Sequence, residues 1–169
     1  MAEFALTSTT LSAERRQAGT DYLISLRKHG IVPQALSWAV DESEQFHLLM
    51  VTSLVDRLGP SSIYDALFRA YERAVTPTSI DPWIVTLFSP NSAFGAEFLN
   101  NPIMTMDIRA EFRDDKGRVV PDAIRPEITI SPFRLRPDWI YALSAEKLSV
   151  DTQLRGWHRF VKKLDRKAA

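Results

Sequence analysis

The sequence contains no cysteine, and this one absence removes several kinds of chemistry. Without thiolates the chain has no disulfide, no cysteine-ligated zinc or iron–sulfur centre and no thiol nucleophile. The three histidines, His29, His47 and His158, lie too far apart for a metal-binding motif such as HExxH. We therefore expect no metal and no cofactor, and the lack of cysteine fits a reducing, cytoplasmic environment.

Glycine is also scarce, with six residues that never stand close together. Phosphate-binding loops need clustered glycines so that backbone N–H groups can approach the ligand, and the sequence has neither a P-loop nor a dinucleotide-binding fingerprint. It has no G-x-S-x-G nucleophile elbow either. Ser144 and Lys147 match an S-x-x-K spacing, but the companion S-D-N and K-T-G motifs are absent, and a chain with 14 serines contains such a pair easily by chance.

Long hydrophobic runs are missing as well. The longest, from Leu48 to Val55, is interrupted by Thr52 and Ser53 and falls far short of the ~20 residues that cross a bilayer. The N-terminus lacks the basic and apolar regions of a secretory signal. With 45% hydrophobic and 25% charged residues the composition is that of a globular protein. We expect no membrane span, a flexible segment over residues 1–11 and a single domain over 12–169.

The net charge is zero, but its distribution along the chain is uneven. Residues 1–103 hold 7 Lys/Arg and 11 Asp/Glu, a net charge of −4, whereas residues 104–169 hold 14 and 10, a net charge of +4. Such a distribution indicates either a local basic surface or the packing of oppositely charged segments against one another.

Helix and turn signals organise the first hundred residues. Ser12 as N-cap and Gly30 as stop predict a helix over 13–29. Two β-like runs, 35–40 and 46–51, joined by an acidic turn, predict a hairpin. Ser62 is expected to cap a helix over 63–74. A short strand is predicted over 83–88, and residues 89–102 are rich in turn-forming residues.

The C-terminal part begins with the clearest alternation, over residues 104–113, which predicts a half-exposed antiparallel strand. A turn over 114–117 and a return strand from Arg118 follow. Residues 127–131 alternate again, residues 131–137 predict an edge strand or ordered loop, and residues 151–167 a helix. The prediction is an α+β fold in the order α-β-β-α-β-β-β-α, with helices on one face of a largely antiparallel sheet of about five strands.

The last helix carries the most suggestive surface. Leu154, Trp157, Val161 and Leu164 share one face, and cations cover much of the rest. The helix can pack on the protein's own core, contact nucleic-acid phosphates, or lie on an anionic membrane through Trp157 and Phe160. The residues assigned to nucleic-acid binding under the second interpretation are Arg134, Arg136, Arg155, Arg159, Lys162, Lys163 and Arg166.

A second candidate surface is the aromatic stripe of the 63–74 helix, formed by Tyr64, Phe68 and Tyr71. Core packing explains it, but an interface with another protein does so too. The first functional hypothesis is accordingly a non-catalytic protein-interaction or assembly module that binds a protein partner or a second copy of itself. The alternatives are a nucleic-acid-binding protein and an enzyme with an unrecognised site near His47 or the 89–95 loop. His47 itself is expected to be a hydrogen-bonded structural residue.

Overall fold

The computed structural model describes residues 9–101, 115–118, 127–144 and 148–166. Within these ranges four helices and six strands form an α+β fold, which confirms the predicted class and roughly its order. The elements are α1 (Ala13–Lys28), β1 (Ala35–Val40), β2 (Phe46–Val51), α2 (Leu54–Glu72), β3 (Val85–Phe88), α3 (Ala93–Asn100), β4 (Ile128–Ile130), β5 (Phe133–Leu135), β6 (Ile140–Leu143) and α4 (Val150–Arg166).

The beginning of the fold follows the sequence signals closely. Ser12 caps α1 by accepting a hydrogen bond from the Arg15 N–H at 3.2 Å, and Gly30 takes the positive φ of 82° that follows a helix end. The predicted hairpin is present over the predicted residues, with β1 and β2 paired from Ala35 opposite Val51 to Val40 opposite Phe46.

The sheet has the order β3-β2-β1-β5-β4, and β6 also pairs with β1. Every pairing is antiparallel except β2–β3, which is parallel. Because these two strands run in the same direction, their carboxyl ends lie side by side at Val51 and Phe88, where the Thr52 N–H donates to the Phe88 carbonyl. The segments that leave both strands therefore meet at one edge of the sheet.

Three helices form a layer on one face of the sheet. The Trp38 indole of β1 donates to the Arg15 carbonyl of α1, which places α1 on the Trp38 face. α4 joins α1 where the backbones of Gly30 and Gly156 touch, and it joins α2 through the Arg69–Asp165 ion pair. The short α3 lies on the opposite face, where Phe94 stacks on Phe88 at 4.1 Å.

Several elements differ from the sequence expectation. The segment 131–137, predicted to be an edge strand or an ordered loop, contains β5, which pairs with β1 on one side and β4 on the other. The predicted 63–74 helix begins earlier, at Leu54, because Gly59 (φ 74°) and Pro60 bend the chain between two helical segments instead of ending it. α3 and β6 occupy residues for which no regular element was predicted. The strongly alternating segment 104–113, its turn over 114–117 and the return strand lie wholly or partly outside the described residues.

The buried hydrophobic side chains form one contiguous cluster, whose largest fully buried members are Trp38, Tyr22, Phe98 and Phe160. Leu11 belongs to this cluster and Thr9 donates to Glu44, so packing reaches into the segment predicted to be flexible, of which residues 1–8 are not described. In the described part of the chain, no helix combines the length and apolar character that a membrane span requires.

Candidate functional site

α4 packs its apolar face on the protein's own core. Trp157, Phe160 and Leu164 are buried, whereas the five α4 cations proposed to bind nucleic acid are exposed. Trp157 and Phe160 are therefore not available for insertion into a membrane. What remains is an exposed positive surface on a rigidly docked helix.

Two of these cations meet the end of α1 in a basic cleft. The close approach of Gly30 to Gly156 brings the elements together around a cavity of about 380 Å³, lined by Arg27, Lys28, His29, Gly30, Arg159 and Lys163. Its four Lys and Arg side chains form no ion pair with any residue that the structure describes, and no carboxylate lines the cavity. Uncompensated cations around a concave surface concentrate positive potential there.

The structure separates Arg134 and Arg136 from this cleft. Arg134 pairs with Glu44 at the hairpin end and with Glu127 at 3.1 Å. The hydrogen bond from Thr9 and the Arg134 guanidinium lower the pKa of the Glu44 carboxyl. Arg136 is largely buried and binds Asp138 at 3.0 Å. Both arginines thus have carboxylate partners, which reduces what they can offer to a phosphate.

The aromatic stripe of α2 divides into structural and exposed parts. Tyr64 donates to the Val85 carbonyl on the outer edge of β3, and its partial burial raises the pKa of the phenol. Tyr71 is half-buried. Phe68 instead meets Trp83 edge to face at 5.0 Å, and Trp83 is 80% exposed.

Trp83 is the functional candidate that sequence reasoning missed. It was assigned to a strand, but it lies in a 3-10 turn over Pro82–Ile84 that Asp81 caps by accepting a hydrogen bond from the Trp83 N–H at 3.0 Å. The Asp81-Pro82 pair is a typical start of such a turn and was the available signal. The turn directs the indole away from the sheet.

His47 stabilises the β1–β2 hairpin through contacts of both of its ring nitrogens. Its Nε2 lies 2.8 Å from the Asp41 carboxylate and its Nδ1 lies 3.3 Å from the Thr86 hydroxyl. The Asp41 carboxylate also accepts the backbone N–H groups of Ser43 and Gln45, so it is already engaged in the turn. The contacts with Gln45 and His47 lower the pKa of Asp41. The order hydroxyl, imidazole, carboxylate resembles a hydrolase triad, but these groups line neither the basic cleft nor the cavity beside the 89–95 loop.

The 89–95 loop borders a polar cavity of about 330 Å³. Ser89 donates to the Asp56 carboxylate at 2.8 Å, and Asn91 donates to the same oxygen at 3.1 Å. The loop has two hydroxyl groups, and neither is hydrogen-bonded to a histidine. Ser89 bonds to Asp56, and Ser92 accepts the Gly95 N–H and so caps α3. Ser144 donates its backbone N–H to Gln34, while its S-x-x-K partner Lys147 lies outside the described residues. The loop therefore shapes a pocket and shows no activated nucleophile.

Among the residues that the structure describes, no group of three or more His, Asp or Glu side chains is placed to hold a metal ion. No family model, curated protein sequence or solved structure matches this chain significantly. Function is accordingly argued from the three surfaces above: the exposed aromatic pair, the basic cleft and the polar cavity.

Proposed function

We propose that this chain is a protein-interaction module that self-associates through a surface centred on Trp83 and Phe68. The observation that carries the proposal is the 80% exposure of the Trp83 side chain. Among the described residues the next most exposed large hydrophobic side chain, Ile24, is 59% exposed. Tryptophan is the residue most enriched among those that dominate the binding energy of protein interfaces.

The Trp83 ring is presented by a fixed support. Its backbone is held by Asp81, the preceding Pro82 is buried, and one side of the indole meets Phe68. A side chain that is ordered before binding loses less conformational entropy when a partner covers it. These features favour a contact made by side chains.

The neighbouring strand edge does not favour partner binding by strand addition. Among the strands that the structure describes, β3 is the last on its side of the sheet, and an outer strand exposes backbone groups to further pairing. Tyr64 already donates to the Val85 carbonyl on that edge. We therefore expect two copies to meet through their aromatic pairs around a twofold axis, the commonest symmetry of self-association.

Light scattering coupled to gel filtration tests the proposal with two variants. The wild-type chain is expected to elute as a dimer and Trp83→Ala as a monomer, because the substitution removes the centre of the contact. Ile24→Ala, which removes exposed hydrophobic surface from α1, should remain a dimer. A wild-type chain that stays monomeric at high micromolar concentration would refute self-association.

Nucleic-acid binding is the second candidate, and the basic cleft between α1 and α4 supports it. Its four cations form no ion pair with any described residue and can offer phosphate contacts more readily than Arg134 and Arg136, which already pair with carboxylates. Binding of this kind weakens steeply as salt rises from about 50 to 200 mM, because phosphate contacts release counterions.

Fluorescence anisotropy with a labelled oligonucleotide distinguishes cleft binding from general attraction to α4. Arg159→Ala/Lys163→Ala should weaken binding more than Arg155→Ala/Lys162→Ala, which removes the same charge from the same helix outside the cleft. Equal losses in the two double variants, or an affinity that does not change with salt, would count against this candidate.

A further inference from the structure

A cavity of about 330 Å³ opens where the segments that follow the parallel strands β2 and β3 meet the start of α4. This volume is at the lower end of the range of small-molecule pockets. The edge beyond the carboxyl ends of parallel strands is where sheet proteins commonly bind ligands. The cavity is lined by Gln34, Ser53, Asp56, Arg57, Pro90, Asn91, Leu148 and Val150.

Gln34 is the residue that most directly indicates a ligand. Its backbone is held on both sides, by donation to the Val51 carbonyl at 2.9 Å and by acceptance from the Ser144 N–H at 2.8 Å. The residue is only 4% exposed, and its side-chain amide makes no hydrogen bond with any other part of the described chain, although the amide atoms themselves are not fully shielded from solvent. The Gln34 amide is therefore held in the cavity wall with its donors and its acceptor available to a ligand.

Ser53 gives a second, independent sign of the same kind. Its hydroxyl oxygen is buried and has no partner among the described residues, although Ser53 stands at the N-cap position of α2, where a serine usually caps. Thr52 takes over that role by accepting the Leu54 N–H at 3.3 Å. The Ser53 hydroxyl is thereby left without a described partner in the wall of the cavity.

The electrostatics of the cavity select the chemistry of the ligand. Arg57 forms no ion pair in the described structure. Val150, the first residue of the 17-residue helix α4, also lines the cavity. Ser149 already accepts the Thr152 N–H through its hydroxyl, but the helix start keeps a partial positive charge near Val150. A guanidinium, a hydroxyl, an amide and a helix N-terminus together match the oxygens of a carboxylate or phosphate.

Asp56 is the one acidic group in the cavity, and its position limits the ligand further. One of its oxygens accepts from Ser89 and Asn91, which fixes the 89–91 loop against α2. Its other oxygen can accept a hydrogen bond from a ligand hydroxyl or amine. Pro90 and Leu148 supply apolar contact for the remaining atoms.

From these contacts we infer that the cavity is a binding site for a small molecule bearing one carboxylate or phosphate group, with Gln34, Ser53 and Arg57 as its recognition residues. The site is separate from the Trp83 surface. Its occupancy and the oligomeric state can therefore be measured, and can fail, independently of each other.

The test is a titration of the isotopically labelled chain with inorganic phosphate and, separately, with the monocarboxylate acetate, followed by backbone amide chemical shifts at constant ionic strength. Saturable shifts centred on Gln34, Ser53, Arg57 and Val150 are expected with at least one probe, and the probe that saturates at lower concentration tells phosphate from carboxylate recognition. Arg57→Gln, an exposed substitution, should weaken binding by about tenfold or more, in line with the loss of a charge-assisted hydrogen bond.

Two further variants test whether binding depends on the cavity itself and not only on net charge. Ser53→Ala should also weaken binding without removing a charge, while Lys162→Gln, on α4 outside the cavity, should leave the titration unchanged. Shifts spread over the α1–α4 basic cleft, equal weakening in Lys162→Gln, or no saturation by either probe would overturn the inference.

Discussion

Gly156 illustrates how one residue can have opposite effects in isolation and in the folded chain. Glycine inside a helix normally costs about 1 kcal/mol relative to alanine, so Gly156→Ala should stabilise α4 considered alone. In the fold a Cβ at this position would lie 2.1 Å from the Gly30 carbonyl oxygen, a backbone atom that cannot rotate away. We expect Gly156→Ala to lower the free energy of unfolding by about 1–3 kcal/mol.

Urea denaturation measures this effect directly through the transition midpoint. Arg155→Ala, at the adjacent exposed position, is the matched control and should shift the midpoint little. A stabilised Gly156→Ala variant would mean that α1 and α4 do not touch at Gly30.

Asp41 gives a pH-dependent prediction at the same scale. Its pKa is lowered by the Gln45 and Ser43 backbone N–H groups and by His47, so the ionised carboxylate stabilises the folded state above its unfolded pKa. That contribution is lost as the pH falls from about 5 through the lowered folded pKa. Asp41→Asn should therefore melt at a lower temperature than wild type at pH 7, and the difference should shrink at about pH 3.

Thermal unfolding followed by circular dichroism at the two pH values tests this. Glu42→Gln, an exposed substitution in the same turn, should melt like wild type at both. A difference between wild type and Asp41→Asn that stays constant with pH would show that the carboxylate charge is not involved.

Single residues were predictable from the sequence where their partners are near in the chain. Ser12 accepts the N–H of a residue three positions on, as its predicted role as N-cap requires, and Asp41 accepts the Gln45 N–H within the acidic turn that was predicted. Gln34 and Ser53 look like ordinary loop and cap residues, and only the arrival of Asn91 and Val150 from distant segments makes them part of a cavity. The polar cavity therefore could not be read from local pattern.

At the scale of elements, α3 depends on its N-cap, Ser92. The sequence contains this cap residue, but the many turn-forming residues around it conceal the start of a helix. Ser92 accepts the Gly95 N–H at 3.0 Å and donates to the Ser89 carbonyl at 2.7 Å. Ser92→Ala should cost about 1 kcal/mol, the usual effect of losing an N-cap, and should speed amide exchange in α3. Ser61→Ala, at an exposed position of α2, is the control. Unchanged exchange in α3 would argue against this cap.

Elements were missed for physical reasons that differ in each case. α3 contains Gly95 and Asn100, both poor helix formers, and is stabilised by Phe94 and Phe98 packing on the sheet instead of by propensity. β6 is only four residues long and pairs irregularly with β1, about a hundred residues away. The hairpin and α1 were found because capping, turn and periodicity signals there agree with the tertiary packing.

At the scale of the molecule, ion pairs join the acidic and basic parts of the chain. Arg16 pairs with Asp138, Arg69 with Asp165, and Arg134 with Glu44. In the first two the cation comes from the acidic part and the carboxylate from the basic part, which leaves the cations of the basic part less compensated. Within the described residues these ion pairs do not cancel the charge asymmetry, and unpaired positive charge remains in the α1–α4 cleft.

This excess of positive charge in the cleft should make the protein more stable as the salt concentration rises. Exposed opposite charges attract less as salt rises, but the four cleft cations repel one another, and salt screens that repulsion. We expect the melting temperature of wild type to rise between low salt and about 0.5 M sodium chloride. The melting temperature of Arg159→Gln/Lys163→Gln should rise less, because this variant has already lost the repulsion between the cleft cations. Arg155→Gln/Lys162→Gln, with the same net charge but an intact cleft, should keep the wild-type response. If both double variants respond to salt alike, net charge governs the effect and the cleft does not hold a local excess of positive potential.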